Sequence, residues 1–279
     1  LPDIFIYHNW PLFPIVFATL LKLTGISPEA LLLHFPLVIF VLYLGPMGWL
    51  LARVEREGEP RDPAGGEGAA SRLALPRGAR WPLGLFVFAV FDWTGQDYFS
   101  PQALAFLVFL VWLCLLAEIA IKRDGVVSTR LFVVAILLFM VIVATHVLTA
   151  LVGLFILTAL ILSRLVHRTP LLVASLLLFL AWQTYLAQDF FGLFGPRVVE
   201  NVFSPIDFLQ SNVGGRVSGS AEHADVSKLR IAVSGLAFLL GAAAAWRLQR
   251  AGRLKEPAAR FAAAGVVGVI VAAPVSVYG

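Results

Sequence analysis

Long apolar runs separated by short polar stretches dominate the chain. A helix that crosses a bilayer needs about 20 apolar residues, at about 1.5 Å each. The runs that fit this pattern cover residues 28–53, 81–94, 102–121, 130–145, 148–166, 169–187, 229–248 and 260–277. They predict an all-α membrane protein: a polytopic helical bundle of about eight transmembrane helices, in one domain over residues 1–279.

The polar stretches between the runs differ in charge. Every second one is basic, beginning with the arginines of 53–80, and the positive-inside rule places these loops in the cytoplasm. The first of them, 54–80, is rich in Gly, Pro and charge, which predicts a flexible cytoplasmic linker. The other stretches then face outwards; they are 1–27, 95–101, 145–149 and an extracytoplasmic loop at 188–228.

Composition supports the membrane interpretation and excludes other classes. Charged residues make up 14% of the chain, whereas a soluble domain carries about 25%, so there is too little polar surface to cover a soluble globule. The single cysteine, Cys114, allows no disulfide framework within the chain. The net charge of +4 comes from residues scattered over short loops, which is not the pattern of a nucleic-acid partner.

One outward stretch lies between apolar runs yet is rich in polar groups. It reads FAVFDWTGQDYFSPQALAFL, residues 88–107, and its notable polar members are Gln96, Asp97, Tyr98 and Gln102. A plain turn would explain Gly95, Ser100 and Pro101 as breaker, cap and first helical residue. A carboxylate near the hydrocarbon edge is costly unless it is paired, solvated or functional. The stretch therefore marks Asp97 as a candidate catalytic residue.

A second outward tip, VATHVLTALVG, carries His146 between Thr145 and Thr149. One interpretation is structural, with the ring bonding a neighbouring carbonyl. The other is functional, because both tips reach the same face and His146 would meet Asp97 there. Two such ligands are too few to assign a divalent metal, although a metal bridging them to a phosphate stays open.

Two further outward segments add candidates. The start of the chain holds Asp3, His8 and Trp10 before residues 11–24, which suit an interfacial or re-entrant helix. Trp10 also fits an interfacial anchor without a binding role. In loop 188–228 the first half resembles an amphipathic helix on the membrane, and Arg197 is a cation able to hold a phosphate. For the other cations of the loop, Arg216 and Lys228, a solvated loop is the alternative interpretation.

Three segments in order, HNWPLFPIVFATLLKLTGISP, WTGQDYFSPQALAFLVFL and ATHVLTALVGL, resemble the bacterial multi-spanning glycosyltransferases of the GT-C superfamily. The resemblance implies a transferase of the bacterial plasma membrane that moves a sugar from a polyprenyl-phosphate donor to a glycan, lipid or protein acceptor on the extracytoplasmic side. It implies catalytic roles for Asp97, His146 and Asp3. The implied substrate-binding residues are His8, Trp10, Gln96, Tyr98, Gln102 and Arg197.

In that family a first transmembrane helix precedes the catalytic outer loop, so the resemblance implies that this chain is a fragment without that helix and without the C-terminal part. Two other functions stay open from the sequence. A transporter or flippase for lipid-linked sugars would also use polar helix tips, although transporters place polar groups near the bilayer midplane. A non-catalytic subunit of an envelope-assembly complex would tolerate replacement of Asp97 and His146.

Overall fold

The computed structural model describes residues 9–57, 80–92, 99–121, 128–167, 169–190, 192, 196, 204, 221–252 and 255–272. The regular secondary structure of these residues is helical, which confirms the all-α prediction for them. The helices are α1 Leu12–Thr24, α2 Pro28–Glu57, α3 Arg80–Asp92, α4 Pro101–Ile121, α5 Thr129–Thr145, α6 Val147–Leu162, α7 Thr169–Tyr185, α8 Ala221–Arg250 and α9 Pro257–Ala272.

Two helices of the described residues, α2 and the segment Pro101–Ala120 of α4, are long and apolar enough to cross a membrane. They differ in burial: 17% of the most apolar stretch of α2 is buried inside the protein, against 50% for α4. Most of the apolar side chains of α2 are therefore not covered by the rest of the described protein. The other apolar helices have 10–17 residues, so the expected eight spans are not established by length.

Three predicted boundaries are wrong. The helix predicted to end at 53 continues to Glu57, because Arg53 pairs with Glu57 one turn later; residues 54–57 are not linker. The helix predicted from 229 begins at Ala221, so residues 221–228 are not loop, and Lys228 pairs with Asp225 there. The helix predicted to run to 166 ends at Leu162, where Arg164 adopts a positive φ of 56°.

Helices α4, α5, α6, α7 and α9 enclose the main core. Trp112 of α4 is fully buried, and its indole N–H donates to the Ala135 carbonyl of α5 at 3.1 Å. Helix α9 packs closely along α6: a Cβ on Gly268 would lie 2.8 Å from the Ile156 nitrogen. Glycine has no side chain, so it allows two helices of an apolar bundle to approach this closely.

Helix α2 runs antiparallel to one of its neighbours and parallel to the other. It runs antiparallel to α3, because Gly48 faces Leu85 whereas Glu55, further along α2, accepts a hydrogen bond from the Trp81 N–H at 3.1 Å. It runs parallel to α4, because Tyr43 donates to the Ala103 carbonyl at 2.8 Å and Arg53 contacts Glu118 at 3.2 Å. The start of α4 therefore lies beside the middle of α2.

A cluster of phenylalanine rings lies where α1 crosses this region. Phe99, which precedes α4, contacts Phe13 and Phe17 of α1 and Phe35 of α2 at centroid distances of 4.8–5.0 Å. Phe35 is about two turns into α2, or about 10 Å from its first residue. Phe99 thus lies about two turns from the start of α2 and contacts α1. Helix α1 confirms a helix within the predicted segment 11–24.

Candidate functional site

Four parts of the chain, each of which includes residues of a predicted outward segment, lie at one end of the bundle. This tip end comprises Asn9–Trp10, Phe99–Gln102, Thr145–Val147 and Trp182–Phe190. The opposite, basic end comprises Arg53–Glu57, Arg80–Trp81, Glu118 and Arg130. The helix directions separate the two ends: α4, α5 and α6 each have one terminus in the first set and the other in or beside the second.

The first part of the tip end is the start of α4. The Ser100 hydroxyl accepts a hydrogen bond from the Ala103 N–H at 3.2 Å, and Pro101 is the first helical residue. This is the cap that the sequence predicts, since serine satisfies an N–H that the first turn leaves open and proline has none to satisfy. Gln102 lies in this turn and is half-buried.

His146 is the single residue between α5 and α6 and belongs to the ends of both. Its backbone is extended, at φ −160° and ψ 121°, and its N–H closes α5 by donating to the Ile142 carbonyl at 2.9 Å. Its ring Nδ1 accepts from the Thr149 N–H at 3.3 Å and lies 2.9 Å from the Thr149 hydroxyl. The ring therefore caps α6, and the bond to a carbonyl that the structural interpretation expected stays a prediction.

The cap determines which nitrogen of the His146 ring carries the hydrogen. Because an amide N–H can only donate, Nδ1 must carry a lone pair, and in the neutral ring the hydrogen lies on Nε2. Burial lowers the pKa of His146, which lies in the connection between the two helices. Both effects favour a neutral imidazole that presents Nε2–H as a hydrogen-bond donor. A neutral donor of this kind can stabilise charge that develops on a ligand oxygen.

Trp10 is buried rather than placed at an exposed interface. Its side chain is 4% exposed, and its ring meets Phe190 edge to face at 4.9 Å. The neighbouring Asn9 carbonyl accepts the Trp182 indole N–H at 3.0 Å. The start of α1 is therefore held against the end of α7, and an interfacial-anchor role for Trp10 is wrong. Its predicted role in substrate binding stays a prediction.

Sequence analysis missed Gln183, in the last turn of α7. It is 4% exposed, and neither its amide nitrogen nor its oxygen has a hydrogen-bond partner. The buried side chains of α7 recur every four residues, at Leu171, Ser175, Phe179 and Gln183. That spacing was the available signal, because it places Gln183 on the inward face. A buried polar group without a partner costs about 1–3 kcal/mol.

The remaining predicted site residues lie outside the described residues. They are the catalytic candidates Asp97 and Asp3 and the substrate-binding candidates His8, Gln96, Tyr98 and Arg197. The described part of the tip end contains three predicted residues: Trp10, Gln102 and His146. Within the described ranges no group of three or more His, Cys, Asp or Glu side chains could hold a metal ion.

Comparison with known proteins gives no relative for this chain: no protein-family model, no curated protein and no solved structure matches it. The arguments for function therefore rest on the arrangement of its own residues.

Proposed function

We propose that the protein is a glycosyltransferase of the bacterial plasma membrane that takes a sugar from a polyprenyl-phosphate donor on the extracytoplasmic side. The observation that carries this proposal is that Trp10, Gln102 and His146 lie at the same end of an apolar helical bundle. A lipid-linked donor gives polar groups a reason to lie there, because its tail stays among apolar helices while its phosphate and sugar meet the helix tips.

The position of Phe99, just before α4, supports the same proposal. Asp97 lies two residues before Phe99, whose ring contacts Phe35 inside the outer end of α2. A carboxylate so close to this position needs a partner or a function. In the multi-span arrangement that we propose, with the apolar helices shorter than α2 and α4 also in the bilayer, Phe99 lies below the outer membrane surface.

The chemistry divides between two groups. An acceptor hydroxyl attacks the anomeric carbon and gives its proton to a carboxylate, for which Asp97 and Asp3 are the candidates. The bond between that carbon and the phosphate oxygen breaks, and the polyprenyl phosphate leaves with the electron pair. His146 donates through Nε2–H to the oxygen that gains charge.

Sugar transfer in membranes that contain the protein tests the proposal. The donors are polyprenyl phosphates carrying labelled hexoses or pentoses, and the variants are Asp97→Asn and His146→Ala beside the wild type. Asp97→Asn should lower the rate by about 10²–10⁴-fold, the usual contribution of a general base. Asp225→Asn, in the exposed pair with Lys228, is the matched control and should transfer normally.

A flippase for lipid-linked sugars is the second candidate, favoured by the Ser175 hydroxyl, which is buried without a partner in the middle of α7. Its test uses the same donors in proteoliposomes, with a measurement of their movement between leaflets. Movement without transfer from any donor would contradict the glycosyltransferase. Wild-type activity in both Asp97→Asn and His146→Ala would favour a non-catalytic subunit.

A further inference from the structure

The corner between the start of α1 and the end of α7 is closed, yet it leaves polar groups unused. Two contacts close it: the Trp182 indole N–H donates to the Asn9 carbonyl at 3.0 Å, and the Trp10 and Phe190 rings meet at 4.9 Å. Behind them the Trp10 indole N–H and both polar atoms of the Gln183 amide have no hydrogen-bond partner.

These unused groups lie close along the chain to the closing contacts. Trp10 follows Asn9, and Gln183 follows Trp182, so one hydrogen bond links the neighbours of both. Separation of that contact would loosen the chain next to both Trp10 and Gln183. A packed apolar core gives no reason for buried polar groups to gather at such a joint, since buried polar groups in proteins are nearly always bonded.

We propose that Gln183 and Trp10 form a binding subsite for the hydroxyl groups of a sugar, closed in this structure by the contact of Asn9–Trp10 with the end of α7. This inference rests on the proposed function, because the sugar would be the one carried by the polyprenyl-phosphate donor.

The chemistry of the corner favours a neutral hydroxylated ligand. A glutamine amide both donates and accepts, which matches a hydroxyl group, while the indole adds one donor. The rings of Trp182 and Phe190 offer apolar surface for the carbon face of a sugar. The nearby charged side chain, Asp189, is exposed and acidic, so it disfavours an anion in this corner. The phosphate of the donor would therefore lie elsewhere.

Ligand-induced thermal shifts in detergent test the subsite. The probes are a polyprenyl-phosphate hexose, a polyprenyl-phosphate pentose and the same polyprenyl phosphate without a sugar. With the wild type, at least one sugar-bearing probe should bind about tenfold more tightly than the bare lipid, as expected for one or two added hydrogen bonds. Gln183→Leu should abolish that difference and leave binding of the bare lipid unchanged; Trp10→Phe should reduce it.

The unliganded variants separate binding from structure. Because Gln183→Leu removes polar atoms that have no partner, its melting temperature should equal or exceed that of the wild type. Gln249→Leu, the same substitution at an exposed position of α8, is the matched control and should bind all three probes normally.

Three results would overturn the subsite, and they are distinguishable. A sugar-dependent difference that persists in Gln183→Leu would show that the sugar binds elsewhere, while the lipid donor stands. A melting temperature several degrees lower in unliganded Gln183→Leu would show that the amide stabilises the fold, for example through a bound water. Absence of binding by all three probes to the wild type would contradict the donor class and with it the proposed function.

Discussion

The two ends of the bundle treat polar groups in opposite ways. At the basic end three charged side chains pair with one another: Arg53 contacts Glu57 at 2.6 Å and Glu118 at 3.2 Å. Glu55 accepts the backbone N–H of Trp81. At the tip end Trp10 and Gln183 are more deeply buried and keep polar atoms without partners.

The difference separates a stabilising arrangement from one that fold stability does not explain. Arg53 and Glu118 keep 20% and 28% of their side chains exposed, so they bind each other without losing all of their solvation. Unpaired groups at the tip end destabilise the fold. Proteins depart from complete pairing mainly at functional sites, which is why the tip end is the better candidate for binding and chemistry.

The largest effect is expected midway between the ends and sets a scale for both. Gly268→Ala would push a methyl group to within 2.9 Å of the Ile156 Cα, and backbone atoms cannot rotate away as a side chain can. We expect a loss of about 1–3 kcal/mol of stability, as for other overpacked cores. Thermal unfolding in detergent, followed by circular dichroism, measures it.

Gly265→Ala is the control, because the added Cβ meets nothing within 4 Å. Alanine favours helix over glycine, so this variant should melt at the same temperature or slightly higher. Equal destabilisation by both substitutions would show that α9 does not approach α6 as closely as described.

At the basic end, Glu118→Ala should cost about 1–2 kcal/mol, because it removes a charged hydrogen bond between α2 and α4 and leaves Arg53 with Glu57. The same thermal measurement applies. Asp225→Ala breaks a pair that is mostly exposed and should change little. If Glu118→Ala and Asp225→Ala have the same melting temperature, the pair between Arg53 and Glu118 does not stabilise the fold more than an exposed pair does.

Local signals predicted helix positions well where a cap or a proline marks the boundary. The start of α4 follows Ser100 and Pro101 as predicted. Helix α5 begins at Thr129, one residue before the predicted run, and the hydroxyl of Ser128 accepts the Leu131 N–H at 3.3 Å. Apolar periodicity fails where charged residues continue a helix. Glu57 looked like linker because it is charged, yet its pairing with Arg53 extends α2.

The candidate site was predictable in outline and not in detail. The order of apolar runs was enough to place Gln102 and His146 at tips of helices. It could not show that the His146 ring turns back to cap α6, because that depends on a side-chain rotamer. Nor did it single out Gln183, because the one available signal, the four-residue spacing from Leu171, is weak in a helix that is apolar on most sides.

Two buried tryptophans differ in whether the indole N–H makes a hydrogen bond. Trp112→Phe removes an N–H that bonds Ala135, whereas Trp10→Phe removes one without a partner. Both lose similar ring volume, so the hydrogen bond should make Trp112→Phe about 1 kcal/mol more destabilising. Parallel melting curves test this. A greater loss in Trp10→Phe would mean that its indole N–H is bonded in the protein.

The smallest effect concerns the cap at the tip end. His146→Ala removes the acceptor for the Thr149 N–H and should cost about 1 kcal/mol, whereas His146→Asn supplies another good cap and should cost less. Melting temperatures at pH 8 rank the two variants. Equal losses would show that the ring contributes packing rather than capping.

The wild type and His146→Asn should differ in how their stability depends on pH. Burial lowers the folded-state pKa of His146 below the usual value of about 6.5, so the unfolded chain binds the proton more readily. The contribution of His146 to stability is complete above about pH 6.5 and declines as the pH falls towards the folded-state pKa. Wild type should therefore lose more stability than His146→Asn between pH 7 and pH 5, since protonation of Nδ1 also abolishes the cap. Identical pH profiles would show that His146 titrates normally and that its ring is not held as the neutral cap of α6.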